Sequence, residues 1–280
     1  MTDLPVRKLE EKCVRLRRLI AELSWRAQAG HLASSLSCVE ILVAVHYAAG
    51  LRIGPFWRNR SERDRFVLSK GHGSLALYGI LADLGWFATR DLDAFCRPGS
   101  IFGGEPTLSI PGVEAATGSL GHGLSLAVGM ALYGKMRNLD NLTYVLTGDG
   151  ECDEGSVWEA ALSIAKYNLN NLVWIVDYNR IQATGATDDV LPLGDFAARL
   201  AAFGFSVKQV DGHDLTALSQ VLTVDRIHLP DRPVAILAKT HTGRGLPFLE
   251  DRPDSHYYRM DEAAYRRAME ILSGKEAEMR

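Results

Sequence analysis

Gly148-Asp149-Gly150 and Asn179, with 28 residues between them, offer one carboxylate, one amide oxygen and flanking glycines. Magnesium prefers octahedral oxygen ligation by a few protein groups completed by phosphate oxygens, and this set suits it. Gly-Asp-Gly alone also serves as a plain strand-to-helix turn, with Gly supplying unusual dihedrals and Asp capping a helix. The flanking sequence decides between the two readings. Tyr144–Thr147 reads as a buried strand running into the first motif, and Leu172–Asp177 as a second strand running into Tyr178-Asn179. Between them, apolar spacing at Val157, Ala160, Ala161, Ile164 and Ala165 predicts a helix. A parallel strand–helix–strand unit brings both strand ends to one carboxyl edge, where ligands bind. The expectation is a diphosphate anchor holding Mg²⁺, with Ca²⁺ or Mn²⁺ able to stand in its place.

The remaining elements must carry that edge. Apolar spacing predicts helices over about 6–29, 37–49, Gly73–Leu84, 121–136, 195–203 and Asp261–Leu272. Strands are expected at Phe66–Leu68, Phe205–Val210 and Val234–Ala238, and residues 97–112, rich in Gly, Pro and Ser, read as a long loop. Alternating strands and helices imply an α/β fold with a mostly parallel sheet flanked by helices. The expected division is one domain over 1–250 and a charged tail over 251–280, partly helical, packing on the domain or on a partner. With 280 residues, 47% of them hydrophobic, the chain can bury a sizeable core. A net charge of −3 gives no basic field for nucleic acid or an anionic membrane. No run reaches a membrane span, the amino terminus lacks the apolar stretch of a signal peptide, and four cysteines form no CxxC pair. A cytoplasmic protein with reduced thiols is expected.

Five segments, in order, resemble the amino-terminal half of transketolases. They are AGHLASSLSCVEIL (29–42), RDRFVLSKGHGSLALYGIL (63–81), PGVEAATGSLGHGLSLAVGMAL (111–132), the GDG…N unit (148–179), and VDGHD (210–214) with KTHTGRG (239–245). The resemblance implies a thiamine diphosphate-binding fold. It further implies transfer of a two-carbon ketol unit from a ketose phosphate donor to an aldose phosphate acceptor, the cofactor carrying the hard chemistry. Because a full-length transketolase continues for more than as many residues again, a separate carboxy-terminal subunit is expected to supply the pyrimidine-binding domain in an α2β2 assembly.

Residue by residue, the resemblance assigns Asp149, Asn179 and the carbonyl of Ile181 to the metal, and Gly148 and Gly150 to close approach of the diphosphate. It places Gly118 and Leu120 beside the aminopyrimidine. Glu154 and Glu159 match glutamates that link paired active sites. His31, His72 and His256 match histidines around the reactive carbon, where imidazole suits proton transfer near neutral pH. His213 reads as a loop-structuring residue, and His46, His228 and His241 receive no role. The chain departs from the family at Glu105, where Gly-His-Pro becomes Gly104-Glu105-Pro106, which would face substrate with a carboxylate. Leu32-Ala33 replace Pro-Gly, His122 replaces Gln, Thr184 stands where Asp is common, and Ser255-His256-Tyr257 replaces Trp-His-Gly. These changes leave room for a second acceptor class, a lipoyl or carrier thiol. More remote alternatives are a non-catalytic binding protein and the α subunit of a 2-oxo acid dehydrogenase.

Overall fold

The computed structural model describes residues 4–223 and 231–279; His228 lies outside them. Its helices are α1 (Val6–Ala27), α2 (Leu32–Ser37), α3 (Val39–Tyr47), α4 (Ser74–Asp83), α5 (His122–Met136), α6 (Gly155–Lys166), α7 (Thr187–Val190), α8 (Phe196–Ala202), α9 (Leu215–Leu222) and α10 (Glu262–Glu278). The strands are β1 (Arg65–Leu68), β2 (Thr143–Gly148), β3 (Leu172–Tyr178), the short hairpin pair β4 (Ile181–Gln182) and β5 (Gly185–Ala186), β6 (Ser206–Asp211) and β7 (Val234–Lys239). Five strands form one parallel sheet in the order β1-β2-β3-β7-β6. The α/β class and parallel sheet expected from the sequence are therefore present.

Alternation along the strands explains the layering. Side chains two residues apart share a face. Tyr144, Leu146, Val173 and Ile175 pack into one core with residues of α1–α4, α9 and α10. Val145, Trp174 and Val176 face the other way, into a second core with α5, α6 and α8. Both faces being covered, the central strands read as continuous apolar runs, as parallel sheets require. The tail segment 251–279 joins the first core: Ala268 and Leu272 are buried, and Tyr265 stacks on Trp25 of α1 with ring centroids 4.0 Å apart.

Several elements depart from the sequence expectations, among them α7, which is absent from the expected helices, and α10, which runs past Leu272 to Glu278. The second helix begins earlier and divides, α2 starting directly after His31 and α3 after Cys38. The sequence reading does not include α9, although Leu215, Leu218 and Leu222 are buried and Asp214 caps it by accepting from the Thr216 and Ala217 amides at 2.9 and 3.0 Å. The hairpin β4–β5 is too short to leave a periodic trace. No helix among the described residues is long and apolar enough to cross a membrane.

A buried ion pair fastens α1 to α3. Arg17 grips Glu40 through two hydrogen bonds of 2.6 and 2.7 Å, and the Arg17 Nε also donates to the Arg244 carbonyl at 2.9 Å. His213 Nδ1 lies 2.9 Å from the same carboxylate, which gives His213 the structuring role read from the sequence. Burial would raise the Glu40 pKa, but Arg17 and His213 overcome it and hold the group down to about 2. Since that value lies below the unfolded one, the stabilisation is complete above about pH 5 and is lost as pH falls toward the folded pKa. Urea midpoints of wild type and Glu40→Gln measured at pH 6 and pH 3.5 should show the wild-type advantage shrinking by roughly 1–2 kcal/mol in acid; a gap independent of pH contradicts this.

Candidate active site

The strand order brings five loop starts to the carboxyl edge: Ser69-Lys70 after β1, Asp149 after β2, Asn179 after β3, Thr240 after β7 and Gly212 after β6. A cavity of about 370 Å³ opens over the first three of these ends. It is lined by eleven of the residues singled out from the sequence: His31, His72, His256, Glu105, Gly118, Leu120, Gly148, Asp149, Gly150, Asn179 and Ile181. A larger depression of about 610 Å³ lies between the chain termini, lined by Arg7, Lys8, Glu11, Arg15 and Glu276, far from these groups.

The oxygen-rich end is built by the β2 and β3 termini. Asp149 is buried, and each of its oxygens is oriented by a backbone amide: Oδ1 accepts from Gly150 at 2.9 Å, and Oδ2 from Arg180 at 2.7 Å. Thr187 Oγ1 donates to Oδ2 at 3.1 Å. Burial pushes the Asp149 pKa up to about 7, with the charge of Asp177 adding to it. The Asn179 amide oxygen accepts from the Ile181 amide at 3.0 Å, and its nitrogen donates to Asp177 at 3.4 Å. Carboxylate and amide oxygens keep further lone pairs after such bonds. A buried carboxylate with no salt bridge among the described residues, next to an aimed amide oxygen, fits a divalent ion completed by diphosphate oxygens. Among the described residues no three His, Cys, Asp or Glu converge into a ready-made metal cage. An ion here would therefore rely on Asp149, Asn179, the Ile181 carbonyl and ligand oxygens. A β-carbon at Gly150 would come within 2.7 Å of Gln182, so only glycine keeps this cradle open.

The imidazole end lies across the cavity. The rings of His31, His72 and His256 stand 5.0–5.5 Å from one another by centroid. His31 occupies the cap position of α2, His72 sits in the tight Gly71–Gly73 turn after β1, and His256 arrives from the tail. Burial lowers the pKa of all three, that of His256 to about 4 and that of His72 well below the ordinary value. The Lys70 charge lowers each further. Nδ1 of His31 is buried with no hydrogen-bond partner among the described residues, as suits an atom that meets a ligand.

Several residues in or beneath the cavity escape the sequence reading. Lys70 is buried against Asp177, which also accepts from Ser37 at 2.5 Å and from Thr240. Glu151, also buried, accepts from the Gly121 amide at 2.9 Å, the Gly148 amide at 3.2 Å and the Ser69 hydroxyl. It thereby joins the loop carrying Gly118 and Leu120 to the end of β2. Lys70 lies within the Ser-Lys-Gly-His-Gly stretch and Glu151 directly after Gly150, but apart from Gly148 their partners lie far off in sequence.

Glu154 and Glu159 do not line the cavity. Glu154 is the exposed cap residue of α6, and Glu159 points outward one turn on, because the α6 face at Val157, Ala160, Ala161 and Ile164 is taken by the core. Glu105 is exposed at the cavity rim and lies directly over Gly118. Gly118 has φ of +128°, and a β-carbon there would strike the Glu105 carboxylate. Of the other histidines, His46 is buried in α3 with Nδ1 2.8 Å from the Leu42 carbonyl, and His241 lies 2.6 Å from Asp251.

Comparison with known proteins agrees with this geometry. Residues 9–276 match the family described as transketolase, thiamine diphosphate binding domain. One subunit of the apulose-4-phosphate transketolase of Phocaeicola vulgatus is 38% identical over 255 residues, covering 91% of this chain and 90% of that protein. The 6-deoxy-6-sulfo-D-fructose transketolase subunit SqwG of Clostridium sp. is 37% identical, covering 92% and 93%. Among solved structures, the transketolase of Campylobacter jejuni matches with a TM-score of 0.83 and 29% identity over 99% of this chain. The chain spans about half the length of the solved transketolases it matches, 48% in that case and 46% for the Leishmania mexicana enzyme.

With pKa values held down by burial, His72 and His256 should remain neutral well below pH 7. In imidazole NMR spectra their resonances should not titrate between about pH 8 and pH 6, where a free histidine passes its midpoint near 6.5. An ordinary midpoint for either ring contradicts the burial argument.

Proposed function

The chain belongs to the transketolase family, and from that premise we propose that it is the thiamine diphosphate-binding subunit of a two-subunit transketolase, moving a two-carbon ketol unit from a ketose phosphate to an aldose phosphate. One observation carries this reading: a single cavity joins the Asp149–Asn179 oxygen pair to three neutral imidazoles. Relatives that are named as single subunits of transketolases, and that match this chain over about nine-tenths of both lengths, support a separate partner chain. An α2β2 assembly is part of the proposal, with the exposed Glu154 and Glu159 linking paired sites across the interface. So is a cytoplasmic location, in keeping with four unpaired cysteines. The relatives act by name on sugar phosphates and sulfosugars, so a sugar acceptor is favoured over a carrier thiol.

When bound, thiamine diphosphate supplies the carbon nucleophile and electron sink that ketol transfer requires. The chain's own residues hold and orient. Asp149, Asn179 and the Ile181 carbonyl would take a divalent ion, Mg²⁺ by their hard oxygen chemistry, and Gly148 and Gly150 would let the diphosphate reach the backbone. Gly118 and Leu120 would flank the aminopyrimidine. His31, His72 and His256, neutral at pH 7, each offer a lone pair that can take the proton of a donor hydroxyl as its carbon becomes a carbonyl. The same rings return a proton when the acceptor aldehyde becomes an alcohol. Lys70 takes no proton from substrate, since it stays charged against Asp177. Glu105 adds an acceptor-only carboxylate at the rim, which favours hydroxyls and disfavours a nearby anion.

Ketol transfer should be absent from the purified chain and appear on mixing with a partner subunit carrying the pyrimidine-binding domain. Asp149→Ala should abolish Mg²⁺-dependent cofactor binding, read by calorimetry on the assembled complex, while leaving assembly intact. Ketol transfer by the isolated chain, or unchanged cofactor binding by the variant, contradicts the proposal.

A further inference from the structure

Tyr257 stands on the solvent side of the histidine cluster. Its ring centroid is 4.7 Å from that of His256 and 5.5 Å from that of His31, yet the residue is 67% exposed. It lines the same cavity as the three imidazoles and the Asp149 end. The floor of this cavity is fully buried at Lys70, its middle is the half-buried imidazoles, and Tyr257 lies outermost. A substrate whose reacting carbons reach the imidazoles brings its remaining carbons within reach of this ring. The ring rests against those of His256 and His31, and the backbone next to it is anchored. Ser255 before it is fully buried, and the Tyr258 amide after it donates to the Ser255 carbonyl at 3.1 Å.

We propose that Tyr257 is a donor-contacting specificity residue that narrows the mouth of the site and selects against long ketose chains. The inference rests on the ketol-transfer reading and adds to it a substrate class: short or compact ketose phosphates. The ring presents a broad apolar face to the C–H groups of a sugar chain at little cost in side-chain freedom. A smaller side chain at 257 removes the wall and leaves the imidazoles in place. The aromatic face does the selecting, so the phenol hydroxyl is dispensable.

The test uses a panel of ketose phosphates of five to seven carbons on the complex assembled with its partner, one aldose phosphate serving as acceptor. In Tyr257→Gly the ratio of kcat/KM for the longest donor to that for the shortest should rise about fivefold or more, mainly through KM, a size typical of pocket-shape discrimination. Tyr257→Phe should keep the wild-type ratio within about twofold. Thiamine diphosphate affinity measured by calorimetry should change less than about threefold in both variants, because its ligands lie at the opposite end of the cavity. The exposed position makes truncation tolerable to the fold. An unchanged ratio in Tyr257→Gly, or a Tyr257→Phe that behaves like Tyr257→Gly, overturns the inference while leaving the function intact. A wild-type complex that transfers from no member of the panel overturns the function and the inference together.

Discussion

Asp177, buried at the end of β3, is the point at which the elements of the site are tied together. It takes the Lys70 ammonium from the loop after β1, the Ser37 hydroxyl at the end of α2 and the Thr240 hydroxyl after β7. Lys70 also donates to the Ser34 carbonyl of α2 at 3.1 Å. One carboxylate thus fixes the loop that leads to His72, the short helix that follows His31, and the strand that delivers Asn179. Removing one partner of such a buried pair costs about 3–5 kcal/mol, because the other is left charged and unpaired. The fold's alternation of buried strands supplies the frame, and this node sets where the frame's loops end.

The same node divides the cavity electrically. Burial holds the imidazoles neutral, and the Lys70 charge, itself paired with Asp177, adds to it. Asp149 in turn is pushed toward its neutral form by burial and by Asp177, the condition a divalent cation would relieve. One end therefore suits a cation and a diphosphate, and the other suits uncharged proton carriers. Glu151 performs the matching task on the opposite wall by clasping the Gly121 and Gly148 amides, which locks the loop over Gly118 to the end of β2.

Much of this arrangement was legible in the sequence because it depends on local pattern. The run into Gly148-Asp149-Gly150, the helical spacing that follows and the run into Tyr178-Asn179 are all contiguous, so the β2–α6–β3 unit and its shared edge could be read directly. Residues matched to known motifs, such as His31 and His72, line one cavity with Asp149 and Asn179. Lys70, Asp177 and Glu151 were not legible, because their meaning lies chiefly in distant partners, 107 residues apart for Lys70 and Asp177 and 30 for Glu151 and Gly121. Glu159 lies off the apolar face at Val157, Ala160, Ala161 and Ile164 that the spacing had already marked. Tyr257 looked like a mere departure from a motif until its ring was seen beside two histidines.

The proposed function gives the cavity a cation end at Asp149 and Asn179 and a metal-free imidazole end. Anomalous diffraction from the assembled complex crystallised with Mn²⁺ and thiamine diphosphate tests it most directly. A manganese peak is expected in contact with Asp149, Asn179 and the Ile181 carbonyl, with diphosphate oxygens completing the shell and no peak among His31, His72 and His256. A peak held by the histidines, or none beside Asp149, would contradict it.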